Sequence, residues 1–311
     1  MKRKVNRVGT NTLTVSLPSR WAKQFGVEVG DEIELIEDGG SLKICKFCNN
    51  KKKSIELDVS DLDRTSVMLK IRSAYRCGYD EITVNFRNSK TMHHRKKKEI
   101  NVIDAIHQEV NKRLLGVEIV EESNNYCLIK DFSASDVSDL ENSVRRIFRL
   151  IINLSNEILE NVSSGEFDKL EIVENNHDTI TKFVSYCLRL LIKDSSFSKE
   201  ERVIKYHIIA SLDNVVDIMK YFSRDVIRSK NKSSKEFIKA IELVNSELKL
   251  YYEFFYSQNN EIAYKFNEIR EEVKEHLLIK HKKMKPEEIL YSNYYRQIID
   301  ILWDLLLAKF I

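Results

Sequence analysis

The apolar and polar positions of this chain change rhythm twice, dividing it into three parts. From residue 3 to 16 apolar side chains alternate around Val5, Val8, Leu13 and Val15, a strand period interrupted at Gly9-Thr10-Asn11. Leu17-Pro18-Ser19 opens a short helix over Arg20 to Phe25, with proline near the first turn, where its missing N–H costs little, and Gly26 ends it. Gly30-Asp31 turns into a strand from Glu32 to Ile36, and Asp38-Gly39-Gly40 turns back into Leu42-Lys43-Ile44, a hairpin pattern. A handful of short strands and one helical turn bury too little surface to be stable alone, so this module predicts a partner copy.

Lys51-Lys52-Lys53 marks the first change of rhythm. Beyond it the order reads strand (Ser54–Val59), helix (Leu62–Gly78), strand (Glu81–Phe86), a basic loop, helix (Val102–Leu115), then strands Val117–Glu121 and Tyr126–Ile129. The loop is His93-His94-Arg95-Lys96-Lys97-Lys98, read as a solvated stretch or as an auxiliary contact with phosphates or anionic protein surfaces. The alternation predicts a small two-layer α/β domain over 54–130.

After Asp131 the period is helical throughout. Helices are expected at Val137–Val162, Phe167–Lys193, Lys199–Lys230, Lys235–Gln258, Glu261–Lys283 and Pro286–Phe310, separated by short polar breaks. In the third, Ile208, Leu212, Val215, Met219, Phe222 and Val226 recur at spacings of four and three, a bundle seam. Three helices and three more predict a domain over 133–311 made of two three-helix repeats, 135–230 and 235–311. The expected fold class is therefore α+β multidomain, mainly α.

Composition agrees, since 2 prolines and 8 glycines in 311 residues leave little room for a turn-rich fold. The net charge of +3 is too small to argue for nucleic acid, but its distribution is uneven. Residues 1–23 carry Lys2, Arg3, Lys4, Arg7, Arg20 and Lys23 with no acid, a local basic face. No apolar export segment follows the basic start, and the C-terminal ILWDLLLAKFI is short and broken by Asp304, so membrane insertion is not expected. An odd count of 5 cysteines without framework spacing fits a reduced, cytoplasmic setting.

The order Arg7-Val8-Gly9, Leu13-Thr14-Val15-Ser16-Leu17-Pro18, Trp21-Ala22, Phe25-Gly26-Val27 and Gly30-Asp31 resembles the AbrB/MazE/SpoVT family of swapped-hairpin DNA-binding domains. That resemblance implies a homodimer of interleaved hairpins over residues 1–50, with a basic face on double-stranded DNA. Carried onto this chain, the candidates are Arg3, Lys4, Arg7, Arg20 and Lys23, with Thr10, Asn11 and Thr12 as polar helpers. Lysine and arginine neutralise phosphates and release counterions, which supplies affinity but no sequence information. Family modules also serve in dimerisation or partner binding alone.

The helical part resembles the PhoU family of phosphate-uptake regulators. The likeness rests on Asp139-Leu140-Glu141 with Val144-Arg145-Arg146-Ile147-Phe148-Arg149-Leu150 and Asn153, on Val173-Glu174-Asn175-Asn176-His177-Asp178 with Leu188-Arg189-Leu190-Leu191, and on Leu212-Asp213-Asn214-Val215-Val216-Asp217. The pairing of the two modules is an arrangement associated with archaeal members. In that family E/D-x-x-x-D pairs on helices bind metal ions such as iron or zinc. The matching positions here are Glu174/Asp178, Asp213/Asp217 and, in the second repeat, Asp300/Asp304. Residues i and i+4 share a helical face, and hard oxygen ligands suit Mg, Mn or Fe. The bundle seam sets Asp213 and Asp217 away from the core, where they would hold an ion or stand as solvated carboxylates. The family run begins with glutamate, whereas this chain has Asp213-Asn214, and Arg296 sits four residues before Asp300.

Cys45-Lys46-Phe47-Cys48 is half of a zinc pattern with no second half, or a pair of reduced thiols. The aromatic run Tyr251, Tyr252, Phe254 and Phe255 reads as bundle core, and His177 as a structural residue or peripheral ligand. With no nucleophile elbow, P-loop, dinucleotide fingerprint or H-E-x-x-H, the chain reads as a non-enzyme. The leading expectation is a dimeric DNA-binding transcriptional regulator linked to phosphate supply. The alternative is an adaptor without DNA binding, dimerising through the first module and docking on a phosphate transporter ATPase or signalling protein.

Overall fold

Gly9, at φ +67°, folds the first strand back on the second, a conformation glycine adopts without steric penalty. β1 (Val5–Val8) pairs antiparallel with β2 (Thr12–Val15), Val5 opposite Val15 and Arg7 opposite Leu13. α1 (Ser19–Gln24) follows, then the antiparallel pair β3 (Glu34–Asp38) and β4 (Ser41–Cys45). The computed structural model describes residues 2–38, 41–45, 52–133, 139–194 and 197–310. The Gly39-Gly40 turn, Cys48, the Lys51 boundary and the expected helix start at Val137 lie outside them. The chain forms two compact units, Met1–Lys51 and Lys52–Ile311.

The second unit begins with the α/β part: β5 (Ser54–Asp58), α2 (Arg64–Arg76), β6 (Glu81–Asn85), β7 (Lys90–His93), β8 (Lys98–Asn101), α3 (Val102–Arg113), β9 (Val117–Glu122) and β10 (Tyr126–Asp131). The sheet order is β5-β6-β10-β9, with β5 and β6 parallel and the other pairs antiparallel. Alternation along β6 buries Ile82 and Val84 against Val67, Ile71, Tyr75 and Ile106 of the helices. Asp63 caps α2 by accepting from the Thr65 and Ser66 amides, and a buried Arg72–Glu109 pair, 2.6 and 2.9 Å, ties α2 to α3.

The basic stretch is a hairpin rather than an irregular loop, with residues 94–98 exposed to solvent. It closes the β7/β8 hairpin through a 3-10 turn at His94–Lys96, with Lys97 left-handed at φ +48°. Thr91 and His93 are buried, and the Thr91 hydroxyl donates to the Leu62 carbonyl at 2.7 Å. Strands this short and this charged give no readable period, which is why the sequence pattern hides them.

Gly116 joins α3 to β9 at φ +75°, and a Cβ there would meet the Ser133 Cβ at 2.5 Å. Gly116→Ala combines a disfavoured backbone with overpacking and is expected to cost about 1–3 kcal/mol. The check is a lower urea midpoint with an unchanged slope.

The bundle comprises α4 (Asp139–Ser164), α5 (Ile172–Lys193), α6 (Lys199–Ser229), α7 (Lys235–Ser257), α8 (Asn260–Ile279) and α9 (Pro286–Lys309). Phe167–Glu171 is a 3-10 turn ahead of α5, so that helix starts later than its apolar period suggested. α4, α5 and α6 pack together, as do α7, α8 and α9, and the halves meet through α4 on α7 and α6 on α9. Ser198 with Glu201 forms a capping box on α6, and left-handed Lys230 and Gln258 close α6 and α7. The aromatic run is core: Tyr251 and Phe254 are buried, while Tyr252 and Phe255 stack on Phe148 at 5.4 and 5.0 Å. Among the described residues no helix is long and apolar enough to cross a membrane. α2 and α3 lie between their own sheet and α5, so the α/β part covers one face of the bundle.

Candidate functional site

In the first unit every DNA-contact candidate is exposed: Arg3, Lys4, Arg7, Thr10, Asn11, Thr12, Arg20 and Lys23. Arg3 and Lys4 precede β1, Thr10 and Asn11 form its turn, and Arg20 and Lys23 share one side of α1. Residues opposite one another in an antiparallel pair lie on the same face. Arg7 therefore shares a face with Val5, Leu13 and Val15, and Thr12 lies on the other with Asn6, Val8 and Thr14.

No residue of this unit whose exposure is described is buried. Val5, Val8, Leu13, Val15 and Phe25 are 48–66% exposed. Apolar surface of this extent on so small a unit is the surface of an incomplete core.

In the second unit four of the six carboxylates singled out for metal, Glu174, Asp178, Asp213 and Asp217, lie where α5 and α6 meet the α/β part. One stripe of α5 carries Glu174, Asp178, Thr181, Ser185 and Arg189 toward α2 and α3. Asp213 is off the bundle core, as its spacing indicated, yet only 8% exposed, because the α/β part covers that side. Arg76, at the end of α2, donates to Asp213 at 2.7 Å and to the Ser185 hydroxyl at 3.1 Å, while Thr181 donates to the other Asp213 oxygen at 2.9 Å. Arg113, at the end of α3, holds Asp178 at 2.6 Å. Glu174 accepts from Arg95 of the β7/β8 hairpin at 3.1 Å and from both sides of the Arg224 guanidinium.

His177 sits at the centre, 2% exposed. Its Nδ1 lies 3.2 Å from Asp178, and its Nε2 lies 2.8 Å from Asp217 and 2.9 Å from the Lys220 ammonium, which also contacts Asp217. An ammonium only donates, so Nε2 either accepts from Lys220, leaving Nδ1–H for Asp178, or donates to Asp217. Burial opposes ionisation of these acids, but the cations prevail. His177 and Arg113 hold Asp178 down at about 2, Arg224 and Arg95 hold Glu174 down at about 2, and His177 with Lys220 depresses Asp217 further. Burial also lowers Lys220.

This arrangement does not fit a resident metal. A hard cation needs several free oxygens converging on one point, and here each carboxylate already holds a protein cation. Among the described residues no three His, Cys, Asp or Glu side chains are grouped to hold an ion. Asp300 and Asp304 are exposed on α9, apart from the others, Asp300 beside Lys274 and Arg296 in a hollow of about 200 Å³. Cys48 lies outside the described residues.

Sequence reasoning missed the cations Arg76, Arg113, Lys220 and Arg224 and the anchoring role of Arg189, whereas Arg95 belongs to the basic stretch it had singled out as a contact for anionic surfaces. Arg189 is 1% exposed and reaches from α5 into the α/β part. It donates to the Tyr75 and Tyr79 carbonyls at 2.9 and 2.7 Å, and to Asp80 and Asp131 at 2.8 and 2.6 Å. Lys193, one turn on, reaches the same two acids.

Comparison with known proteins adds two findings and one blank. No curated protein matches the sequence. A PhoU-like phosphate regulatory protein from Shewanella oneidensis aligns structurally over 57% of this chain and 97% of its own, at 11% identity and a TM-score of 0.38. Residues 7–55 match the family described as antidote-toxin recognition MazE, bacterial antitoxin. The N-terminal unit is thus similar, over nearly its whole length, to MazE-type antitoxin domains.

Proposed function

We propose that the chain is a dimeric DNA-binding transcriptional regulator tied to phosphate uptake, acting without catalysis in a reduced, cytoplasmic setting. The observation that carries this reading is that no side chain of the first unit whose exposure is described is buried, beside its run of exposed basic residues. A second copy laid on Val5, Leu13 and Val15 completes a core and doubles the basic surface of Arg3, Lys4, Arg20 and Lys23, with Arg7 on the covered face. The likeness of residues 7–55 to MazE-type domains supports the same arrangement. The phosphate link rests on the PhoU-like motifs of the helices alone, which imply control of a transporter or its signalling proteins by protein contact.

Fluorescence anisotropy of the full chain on duplex DNA tests this reading. Affinity is expected to fall by roughly 10³-fold between about 50 and 200 mM salt. Arg3→Ala and Arg20→Ala should each weaken binding and flatten the salt slope by about one to two. Absence of duplex binding at low salt would sink the DNA reading and leave the adaptor, docked on a transporter ATPase or signalling protein. The matched family's description names toxin recognition and not DNA, which is compatible with that second reading.

A further inference from the structure

The β7/β8 hairpin gives the second unit a basic surface of its own. From Arg87 to Lys98 the chain carries Arg87, Lys90, Arg95, Lys96, Lys97 and Lys98, and no acid. Two of these cations are paired, Arg87 with Asp61 at 3.3 Å and Arg95 with Glu174 at 3.1 Å. Lys90, Lys96, Lys97 and Lys98 are exposed, and among the described residues none of them bridges to a carboxylate. Half-buried Arg64 stands nearby and donates to an uncharged partner, the Gln108 side chain, at 2.7 Å. The local field is positive: after burial itself, Arg64, Arg95, Lys96 and Lys98 lower the pKa of His93. The hairpin backbone is held from beneath by buried Thr91 and His93 and from the side by the Arg95–Glu174 pair. Its lysines therefore stand on a fixed platform, which keeps the ordering cost of a contact low.

We infer that this hairpin is a second, sequence-independent contact for the phosphate backbone of duplex DNA, an inference that rests on the DNA reading of the first unit. Lysines without a protein partner, gathered on one short hairpin, match a polyanion whose phosphates are dense and regularly spaced. Residues 87–101 contain no Phe, Tyr or Trp on which an unpaired base could stack, which favours the duplex over a single strand. Met92 is the hairpin's only exposed large apolar side chain, so an anionic membrane would find charge there but little apolar anchor. Both basic surfaces belong to one chain. A duplex held by the first unit is then offered to the hairpin at a raised effective concentration, which adds affinity without adding sequence information.

Anisotropy of the full chain on a long duplex of mixed sequence, across a salt series, tests the contact. Lys96→Gln/Lys97→Gln/Lys98→Gln should flatten the slope of log affinity against log salt by about 2–3 per chain bound, and weaken binding at least about tenfold at physiological salt. All three side chains are exposed, and glutamine accepts the left-handed backbone of Lys97 as it does at Gln258, so an unchanged Tm should accompany the loss. Lys199→Gln/Lys239→Gln/Lys249→Gln removes the same charge from exposed positions on the bundle and should change the slope by less than about one. If the parent chain binds and the hairpin variant keeps its slope, the inference is overturned while the DNA reading of the first unit stands. Equal losses in the two triple variants overturn it too, since net charge alone would then account for them. A parent chain that binds no duplex at low salt removes both. A hairpin variant with the parental slope on DNA that no longer sediments with phosphatidylserine vesicles, where the parent does, overturns the inference and assigns the lysines to an anionic membrane surface.

Discussion

Arg189→Met is expected to destabilise the second unit by about 3–5 kcal/mol, the cost of breaking a buried ion pair from one side. For a unit of this size that lowers Tm by roughly 10 °C. The substitution keeps the apolar stem packed near Tyr75 but removes the guanidinium donor from the Tyr75 and Tyr79 carbonyls, and leaves Lys193 as the cation on Asp80 and Asp131 beside their hydrogen bonds from Lys53 and Ser133. Burial opposes the charge on both acids, yet Lys193, Arg189 and Ser133 keep them below the usual carboxylate range. A depressed carboxyl contributes stability above its unfolded pKa, and that stability drains away as pH falls through the folded value. The gap between Arg189→Met and the parent chain should therefore narrow below about pH 4. Adding Asp80→Asn and Asp131→Asn to Arg189→Met should recover part of the loss, because the orphaned charges carry most of it. Calorimetry of the parent chain and these variants across pH checks both; a loss under about 1 kcal/mol, or none recovered, contradicts the buried-anchor account.

The opposite sign is expected at Glu247. Its side chain is wholly buried in α7, whose Leu243, Val244 and Leu248 are buried too, and neither carboxylate oxygen has a hydrogen-bond partner among the described residues. Burial, helped by Asp300 of α9 and opposed by Arg270 and Lys274 of α8, pushes its pKa up to about 8. The unfolded chain releases this proton near the ordinary glutamate value while the folded chain keeps it, so stability falls as pH rises from there to about 8 and then levels off. Glu247→Met removes the penalty. The variant should exceed the parent chain by on the order of 3 kcal/mol at pH 8 and by little at pH 5. Urea melts at the two pH values read this difference; a variant less stable than the parent at pH 8 would mean that the carboxylate is satisfied there.

Most of the architecture was readable because it is periodic. The seam Ile208, Leu212, Val215, Met219, Phe222 and Val226 is fully buried, and strands as short as β6 announced themselves by alternation. The site was readable only as half of a contact. Spacing set Asp213 and Asp217 on one side of α6 but carried no sign that α2, 137 residues away at Arg76, would cover it. Arg189 stood in an apolar run of a helix and revealed nothing of Asp80 or Asp131, because ion pairs distant in sequence leave no local period. Glu247 is the converse case: one acid in an apolar helix reads as a solvated position, and only packing against α8 and α9 shows that it is enclosed.

The bare apolar faces of the first unit bear on how much protein a cell must make. A domain that acquires its interior only from a twin has no stable solitary form, so its folded population follows chain abundance as well as temperature. Where pairs are scarce, doubling synthesis raises them roughly fourfold by mass action. Under the proposed DNA-binding reading, gene dosage would then set a threshold for operator occupancy before any small molecule intervenes.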